Sequence, residues 1–400
     1  MTPAIAHVSV DELETDPYPV YARLRADAPV CYVPAVDTWF VTRYADVEFV
    51  GEHPDLFPAE HGDSPVERTF GTPTVITVDG AVHHELRRSF DGKFRPRRVE
   101  AYIDALVRPI AEELAERLTS QGEAELMAEY FEPISVRSLA EVLGLGDLDA
   151  DTLRRWFHGM NLGATNYERD ADKQTAADTV CAEIDGVVIP RMERLTDHPD
   201  DSTMSHLLHA DTEPGCPRSI DFVLPSLKVA ILGGMQEPGH AAGTVLAGLF
   251  AEPDQLAEVG TDPAATLTAA VDEGLRWVAP IGTQLRTAAR DVALGGVTIP
   301  AGASVSAVLG SANRDDAVFT DPDRFDLHRP GKGMAAFGFG KHFCSGHSFA
   351  RHQMRIALTV LLERFPRVCA EPATTVRFRG WEFRAPAELR VTLQRRTATL

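Results

Sequence analysis

Cys344 is the residue in this sequence most suited to chemistry. It stands in Phe337-Gly-Phe-Gly-Lys-His-Phe-Cys-Ser-Gly346, directly before the amphipathic run from Ser348 to Phe365. Gly338, Gly340 and Gly346 let the backbone turn tightly and approach a flat object closely, while a helix N-terminus and loop amides favour a thiolate. A thiolate so placed suits a metal ligand. A nucleophilic cysteine is the other chemistry open to it, but that needs a partner base, and the spacing of neither His342 nor His347 designates one. Cys31, Cys181, Cys216 and Cys369 are scattered with no C-x-x-C pair, so they read as small hydrophobes rather than a disulfide framework or zinc cluster.

A second polar feature lies inside the most apolar stretch. Residues Ser219 to Phe250 predict one long buried helix, weakened at Gly233 and Gly234 and opened by Pro238, which cannot donate to the carbonyl four residues back. Gln236 and Glu237 sit at that fault. A carboxyl in apolar surroundings is costly unless it is hydrogen-bonded or functional, which makes Glu237 a candidate acid–base group.

The elements that must position these groups are mostly helical. Arg98 to Gln121 repeats Ile103, Leu106, Val107, Ile110, Leu114 and Leu118 at helical spacing, and Leu267 to Val278 behaves likewise. Strand-like pieces are short: Thr38 to Thr42, Thr74 to Val78, and Val292 to Ile299 followed by Pro300-Ala-Gly and Ser304 to Leu309, which reads as a hairpin around a Pro-Gly turn. The expectation is a mainly α fold with small β-sheets (α+β). No repeat, low-complexity tract or linker marks a boundary, so residues 1–400 are expected to form one domain. The balance of 59 acidic against 39 basic side chains, a net charge of −20, repels polyanions, so neither nucleic acid nor an anionic membrane is an expected partner. No window approaches the ~20 apolar residues of a membrane span, and Met1 to Asp16 lacks the pattern of a secretory leader, so a cytoplasmic location is expected.

Phe337, Gly338, Gly340, His342, Cys344 and Gly346 resemble the F-x-x-G-x-x-x-C-x-G haem-binding loop of the cytochrome P450 monooxygenases. Glu273-Gly-Leu-Arg276 is similar to that family's E-x-x-R pair. Asn313-Arg-Asp and the segment Phe319 to Asp326, with Arg329 beyond, resemble the part that completes the pair's network, with Arg324 and Arg329 both open as its third member. The resemblance runs from Asp16-Pro-Tyr to Val391. It is nearest to the bacterial aromatic O-demethylases of guaiacol and syringol type, through Glu132-Pro-Ile-Ser-Val-Arg-Ser-Leu139, Met235-Gln-Glu-Pro-Gly-His240, Gly310-Ser-Ala-Asn313 and Gly380-Trp-Glu-Phe-Arg384.

This resemblance implies a single-domain cytochrome P450 fold enclosing haem b, with Cys344 as the thiolate ligand of the iron and Phe337, His342 and Gly346 beside it. It implies that His83, Arg87 and Arg286, with His342, bind the haem propionates, a task suited to charged and forked donors. Most of the family carries an acid and then a threonine at the central kink; here Gln236 and Glu237 take that place, which implies that Glu237 handles protons while Gln236 fixes its orientation. The implied substrate pocket comprises Phe70, Ile76, Ala164, Val229, Leu232, Gly233, Ile281, Leu285 and Phe383, with Phe70 and Phe383 sandwiching an aromatic ring. Ala164 stands where the guaiacol enzyme places a Phe, which favours syringol with its second methoxy group.

The implied reaction is oxidative O-demethylation of a lignin-derived methoxyphenol to a catechol-type phenol and formaldehyde, using O2 and two electrons. The sequence contains no flavin or iron–sulfur segment, so the electrons are expected from a ferredoxin or an iron–sulfur or flavin reductase. Arg87, Arg88, Lys93, Arg95, Arg97 and Arg98 offer a basic patch for an acidic iron–sulfur partner. Three other readings stay open: hydroxylation of a terpene or polyketide, a peroxide-driven haem enzyme, and a non-catalytic haem-thiolate sensor, which predicts no spin shift on adding substrate.

Overall fold

The stretch apolar on nearly every side takes the middle of the molecule. In the computed structural model, which describes residues 4–118, 122–330, 333–371 and 376–394, it forms two helices, Ile220–Met235 and Glu237–Ala251. The fault lies at Gln236, with φ −109° and ψ −29°, because Pro238 leaves a carbonyl of the first helix without its donor. Nearly every residue of the second helix is buried. It is packed so closely that a Cβ at Gly239 would lie 2.7 Å from the Phe131 carbonyl oxygen, so only glycine fits there.

Helices with one apolar face surround this pair. Pro263–Trp277 and Glu132–Leu143 pack on Glu237–Ala251, and His347–Arg364 packs on Pro263–Trp277 and on Pro96–Leu118. The last is the helix expected from Arg98 onwards; residues 119–121, its expected end, lie outside the described residues. Ala150–Ala164 crosses Ala171–Asp197 and reaches the first central helix.

The sheets are small. Val30–Val33, Thr38–Val41, Ser304–Ala307 and Gln284–Thr287 form a four-stranded sheet in that order; Trp39 stands opposite Val305 in a parallel pair and Arg286 opposite Val305 in an antiparallel one. Glu123–Glu125, Arg390–Gln394 and Arg367–Ala370 form a second. Two strand expectations are corrected. Thr74 to Val78 is a turn, in which the Thr77 amide donates to the Thr74 carbonyl at 3.1 Å and the two threonine hydroxyls pair at 2.8 Å, local bonds that displace a ladder. The hairpin turns at Gly295-Gly296, both at positive φ, rather than at Pro300-Ala-Gly; it joins Val292–Leu294 to Val297–Ile299, and Ser304–Ala307 enters the larger sheet.

The Glu273–Arg276 pair holds the loops beneath the core. Arg276 meets both Glu273 oxygens at 2.7 and 2.8 Å with both side chains 5% exposed or less, and it also donates to the carbonyls of Asn313, Pro322 and Arg324. Arg329 is the third member, its Nε lying 3.1 and 3.2 Å from the same carboxylate, whereas Arg324 pairs with Glu252. Asn313 extends this network to the cysteine loop by accepting from the Ala335 amide at 2.6 Å. Among the described residues no helix is long and apolar enough to cross a membrane.

Candidate active site

Gly346 caps the helix His347–Arg364, which puts Cys344 just ahead of its N-terminus. The loop before it turns through Gly338 and Gly340 at φ 71° and 65°, and the Cys344 amide closes it by donating to the Phe337 carbonyl at 2.9 Å. A Cβ at Gly340 would lie 2.3 Å from the Gly51 carbonyl oxygen. Gly346 differs from the expectation that all three glycines serve the turn. Its φ is −81°, open to any residue, and an added Cβ would lie 3.9 Å from the Cys344 sulfur, so its value is room beside the thiol. The Arg351 guanidinium sits over the Phe337 ring at 4.4 Å and fixes the loop on the helix.

The Cys344 thiol opens on the internal cavity but is walled by protein. Burial raises its pKa, opposed by the amides of Gly346 and His347, so the helix end alone does not make it a thiolate. A coordinated metal cation does so outright. No cluster of three or more His, Cys, Asp or Glu side chains able to hold a metal exists among the described residues. Cys344 therefore suits a metal that brings its other ligands with it, as haem iron does.

Beside the thiol lies a set of buried nitrogens without hydrogen-bond partners. Arg286, 3% exposed, has its pKa pushed down to about 10 by burial; one nitrogen donates to the Leu285 carbonyl and Nη2 has no partner. His342 holds Asp79 through Nε2 at 3.0 Å and leaves Nδ1 unpartnered, and its ring lies 4.2 Å from that of His83, whose Nε2 is also unpartnered. Burial lowers His83 to about 4, helped by His342 and Arg87. Burial pushes Asp79 up, but His342, the Ala59 amide and Lys341 outweigh it and hold the carboxyl well below its usual range. The unpaired, buried Arg286 guanidinium calls for an anionic oxygen, and the propionates of a haem ligated by Cys344 would supply it, with His342 Nδ1 able to donate to them when its ring is protonated. The residues fit the group. Two details differ from expectation: His83 stands behind His342 rather than in the cavity wall, and Arg87 is partly engaged, by Asp91 at 3.0 Å and the Phe343 carbonyl at 2.5 Å.

One cavity joins Cys344, Phe337, Arg286 and Glu237 to the expected pocket residues. Its volume is about 390 Å³, within the ~300–1,000 Å³ of a ligand pocket. Phe70, Ile76, Ala164, Val229, Leu232, Gly233, Ile281, Leu285 and Phe383 all line it. Gly233 faces it with nothing within 4 Å of an added Cβ. Ala164 ends the helix Ala150–Ala164, which Gly163 seats against Thr69 and Ala177.

Ile281 and Phe383 face each other across an isolated bridge that forms the roof. The Gly282 amide donates to the Glu382 carbonyl at 2.9 Å and the Arg384 amide to the Pro280 carbonyl at 2.8 Å, while a Cβ at Gly282 would lie 1.8 Å from the Trp381 carbonyl oxygen. Phe383 meets Phe157 edge-on at 6.0 Å.

Glu237 is 5% exposed, and neither of its oxygens has a hydrogen-bond partner. Burial raises its pKa to about 7, against His240 and the local amides. A carboxyl poised near neutrality beside a cavity can both give and take protons. Gln236 does not orient it: the side chain is fully buried, both ends of its amide are unpartnered, and it is absent from the cavity wall. Of the two neighbours at the fault, Glu237 lines the cavity and Gln236 does not.

Sequence reasoning missed three groups. Asp79 anchors His342. Glu382, in the cavity wall, accepts from Thr283 at 2.7 Å and Tyr167 at 2.8 Å, and burial raises it to about 7. His240 meets Glu132, which meets Arg154. The available signal was the same for Glu382, His240 and Glu132, an ionisable residue inside an apolar run.

The expected basic patch is smaller than its sequence. Arg87 pairs with Asp91, Arg88 with Asp211 and Lys93 with Asp201, while Arg95, Arg97 and Arg98 stay exposed.

Known proteins resemble this chain over most of its length. The family pattern described as Cytochrome P450 matches residues 265–377. The chain is 32% identical to 6-deoxyerythronolide B hydroxylase of Saccharopolyspora erythraea over 372 residues, 89% of this chain and 90% of that protein. It is 31% identical to vitamin D(3) 25-hydroxylase of Pseudonocardia autotrophica over 361 residues, 88% of this chain and 87% of that one. The structure of Cytochrome P450 CYP109Q5 from Chondromyces apiculatus superposes with a TM-score of 0.85 at 27% identity, covering 99% of this chain and 100% of that one.

Proposed function

Since the chain belongs to the cytochrome P450 family, we propose that it is the monooxygenase that oxidatively O-demethylates a small methoxyphenol, syringol before guaiacol, to a catechol-type phenol and formaldehyde. The haem held by Cys344 supplies the oxidising chemistry with O2 and two electrons from a ferredoxin or reductase partner. The protein's part is to hold, orient and protonate.

Propionate binding falls to Arg286 and His342, with His83 behind and Arg87 at the side, and Phe337 and Gly346 shape the ground around the thiol. The apolar walls at Val229, Leu232, Ile281 and Leu285 exclude water and confine an aromatic ring under Phe383, so that a methoxy methyl is presented to the reacting centre. Phe70 and Ile76 close the side of the pocket. Glu237 supplies protons to the cavity, and Gly233 keeps the approach clear.

The observation that carries the choice of substrate is Ala164, a methyl side chain in the cavity wall where the guaiacol-type enzymes have an aromatic one. The room it leaves suits the second methoxy group of syringol. The test is titration of the haem-loaded protein with syringol, guaiacol and alkylguaiacols, reading the spin shift and then formaldehyde released per NADH consumed. A spin shift and stoichiometric formaldehyde with syringol are expected; no shift with any of the three phenols refutes the reading. Hydroxylation of a larger terpene or polyketide is the second reading, favoured by the resemblance to 6-deoxyerythronolide B hydroxylase, and it predicts a spin shift with a macrolide aglycone instead.

A further inference from the structure

The residues already assigned leave open how Glu237 regains a proton. Monooxygenation reduces one atom of O2 to water and takes two electrons and two protons per turnover. The electrons come from a partner protein. The protons have to cross the protein to a carboxyl that is 5% exposed and has no hydrogen-bond partner. Gln236, its neighbour at the helix fault, is fully buried and cannot serve.

His240 lies one turn along the same helix, three residues on, so the two side chains are neighbours on one face. Its Nδ1 is buried without a partner, and its Nε2 lies 3.4 Å from Oε1 of Glu132, on the helix Glu132–Leu143. The other oxygen of Glu132 accepts from Nη2 of Arg154 at 2.7 Å, on the helix Ala150–Ala164. Side-chain exposure rises outward along the series, from 10% at His240 to 13% at Glu132 and 26% at Arg154. Exposed His158 lies one turn beyond Arg154. Three helices thus bring a histidine, a carboxylate and a surface guanidinium into one file that leads from Glu237 to solvent. The contact of Gly239 with the Phe131 carbonyl fixes the helix spacing that this file needs. Burial pushes Glu132 up, but the His240 and Arg154 contacts outweigh it and keep the carboxyl charged and able to draw protons inward.

We propose that His240 and Glu132 relay protons from solvent to Glu237, with Arg154 positioning Glu132 at the surface end. Glu132 takes a proton from water and passes it to Nε2 of His240, the ring releases a proton from Nδ1 to the Glu237 carboxylate, and the Glu237 O–H delivers it to the cavity. One proton crosses per cycle: Glu132 and Glu237 end as the carboxylates they began as, and the neutral ring, left with its proton on Nε2, returns to the Nδ1–H tautomer before the next transfer. The relay rests on the monooxygenase reading and not on the identity of the substrate.

The experiment uses the holoenzyme of His240→Gln and Glu132→Gln with whichever compound gives the parent enzyme its largest spin shift, so failure of the methoxyphenol reading leaves it intact. A general acid contributes roughly 100-fold or more, and a relay behind it is expected to cost about tenfold in product formed per NADH at unchanged spin-shift affinity. The solvent deuterium isotope effect on O2-driven turnover should rise in both variants. Turnover driven by added hydrogen peroxide, which brings its own protons and electrons, should hold within about twofold, because no relay is called on. Arg154→Lys should restore most of the coupling that Arg154→Ala loses. Equal losses in the O2-driven and peroxide-driven reactions, or an unchanged isotope effect and coupling in both variants, overturn the relay. If one variant fails to bind haem, the other reads the same three quantities.

Discussion

Replacing Glu237 by Gln should make the protein more stable and less active, and pH sets how far the two effects separate. The parent carboxyl titrates at about 7 in the fold against 4.5 in the unfolded chain. A carboxyl with a raised folded pKa destabilises the native state wherever the unfolded chain would ionise it. The penalty is absent well below 4.5, grows as pH rises through the interval, and is complete above 7. At about 1.4 kcal/mol per pH unit the full penalty is about 3 kcal/mol, of which about 2 kcal/mol develops between roughly pH 5.5 and pH 8.5. Glutamine has the same shape and no charge to bury. Urea denaturation of both holoproteins at those two pH values should therefore show Glu237→Gln gaining about 2 kcal/mol more on the parent at the higher pH. Coupled turnover should fall by roughly 100-fold, the scale of one lost general acid. An advantage equal at the two pH values refutes the titration argument, and unchanged coupling refutes the catalytic one.

Ala164→Phe should lower turnover of syringol relative to guaiacol by roughly ten- to a hundredfold, the range of a steric change of a few heavy atoms in an apolar pocket; competition between the two phenols in one vessel measures it. Arg329→Ala removes a buried partner of Glu273 and should cost about 3–5 kcal/mol, with faster loss of haem. Arg324→Ala breaks only a pair that is 58% exposed on the arginine side and should cost no more than about 1 kcal/mol. Denaturation of both variants distinguishes the two arginines. Charge reversal at Arg95 and Arg97 together should slow reduction by an acidic iron–sulfur donor about tenfold or more at low ionic strength, converging on the parent in 1 M salt, where screening acts over ~3 Å; stopped-flow reduction reads it.

What could be read from the sequence was what is local. The cysteine loop, the helix after it and the Glu273–Arg276 pair lie within a few residues, and their spacing carries their geometry. The helix fault at Pro238 was legible for the same reason. The choice between Arg324 and Arg329 was not, because both follow the same turn and only the folded loop decides which one reaches Glu273. Thr74 to Val78 consists of β-branched residues, as a strand would, yet its threonine hydroxyls bond to one another in a turn. The hairpin was placed one turn too late, since Gly295-Gly296 competes with Pro300-Ala-Gly for the same strands. The resemblance pairs Gln236 with Glu237, whereas in the fold Glu237 alone of the two lines the cavity and the Gln236 amide has no partner. Least legible was the file from Glu237 to Arg154. Its members come from three helices, and a pattern along one chain holds no record of which faces meet.

The roof of the cavity carries a consequence for how this enzyme changes over evolutionary time. Ile281 and Phe383 hang from backbone hydrogen bonds and from a contact at Gly282 that admits no side chain, so any drift in shape there disturbs the main chain itself. The wall at Ala164 is different: Gly163, beside it on the same helix, seats the backbone against Thr69 and Ala177, and Ala164 lines the cavity. A lineage can therefore explore new substrates through single exchanges at that position while the backbone of the roof stays constant.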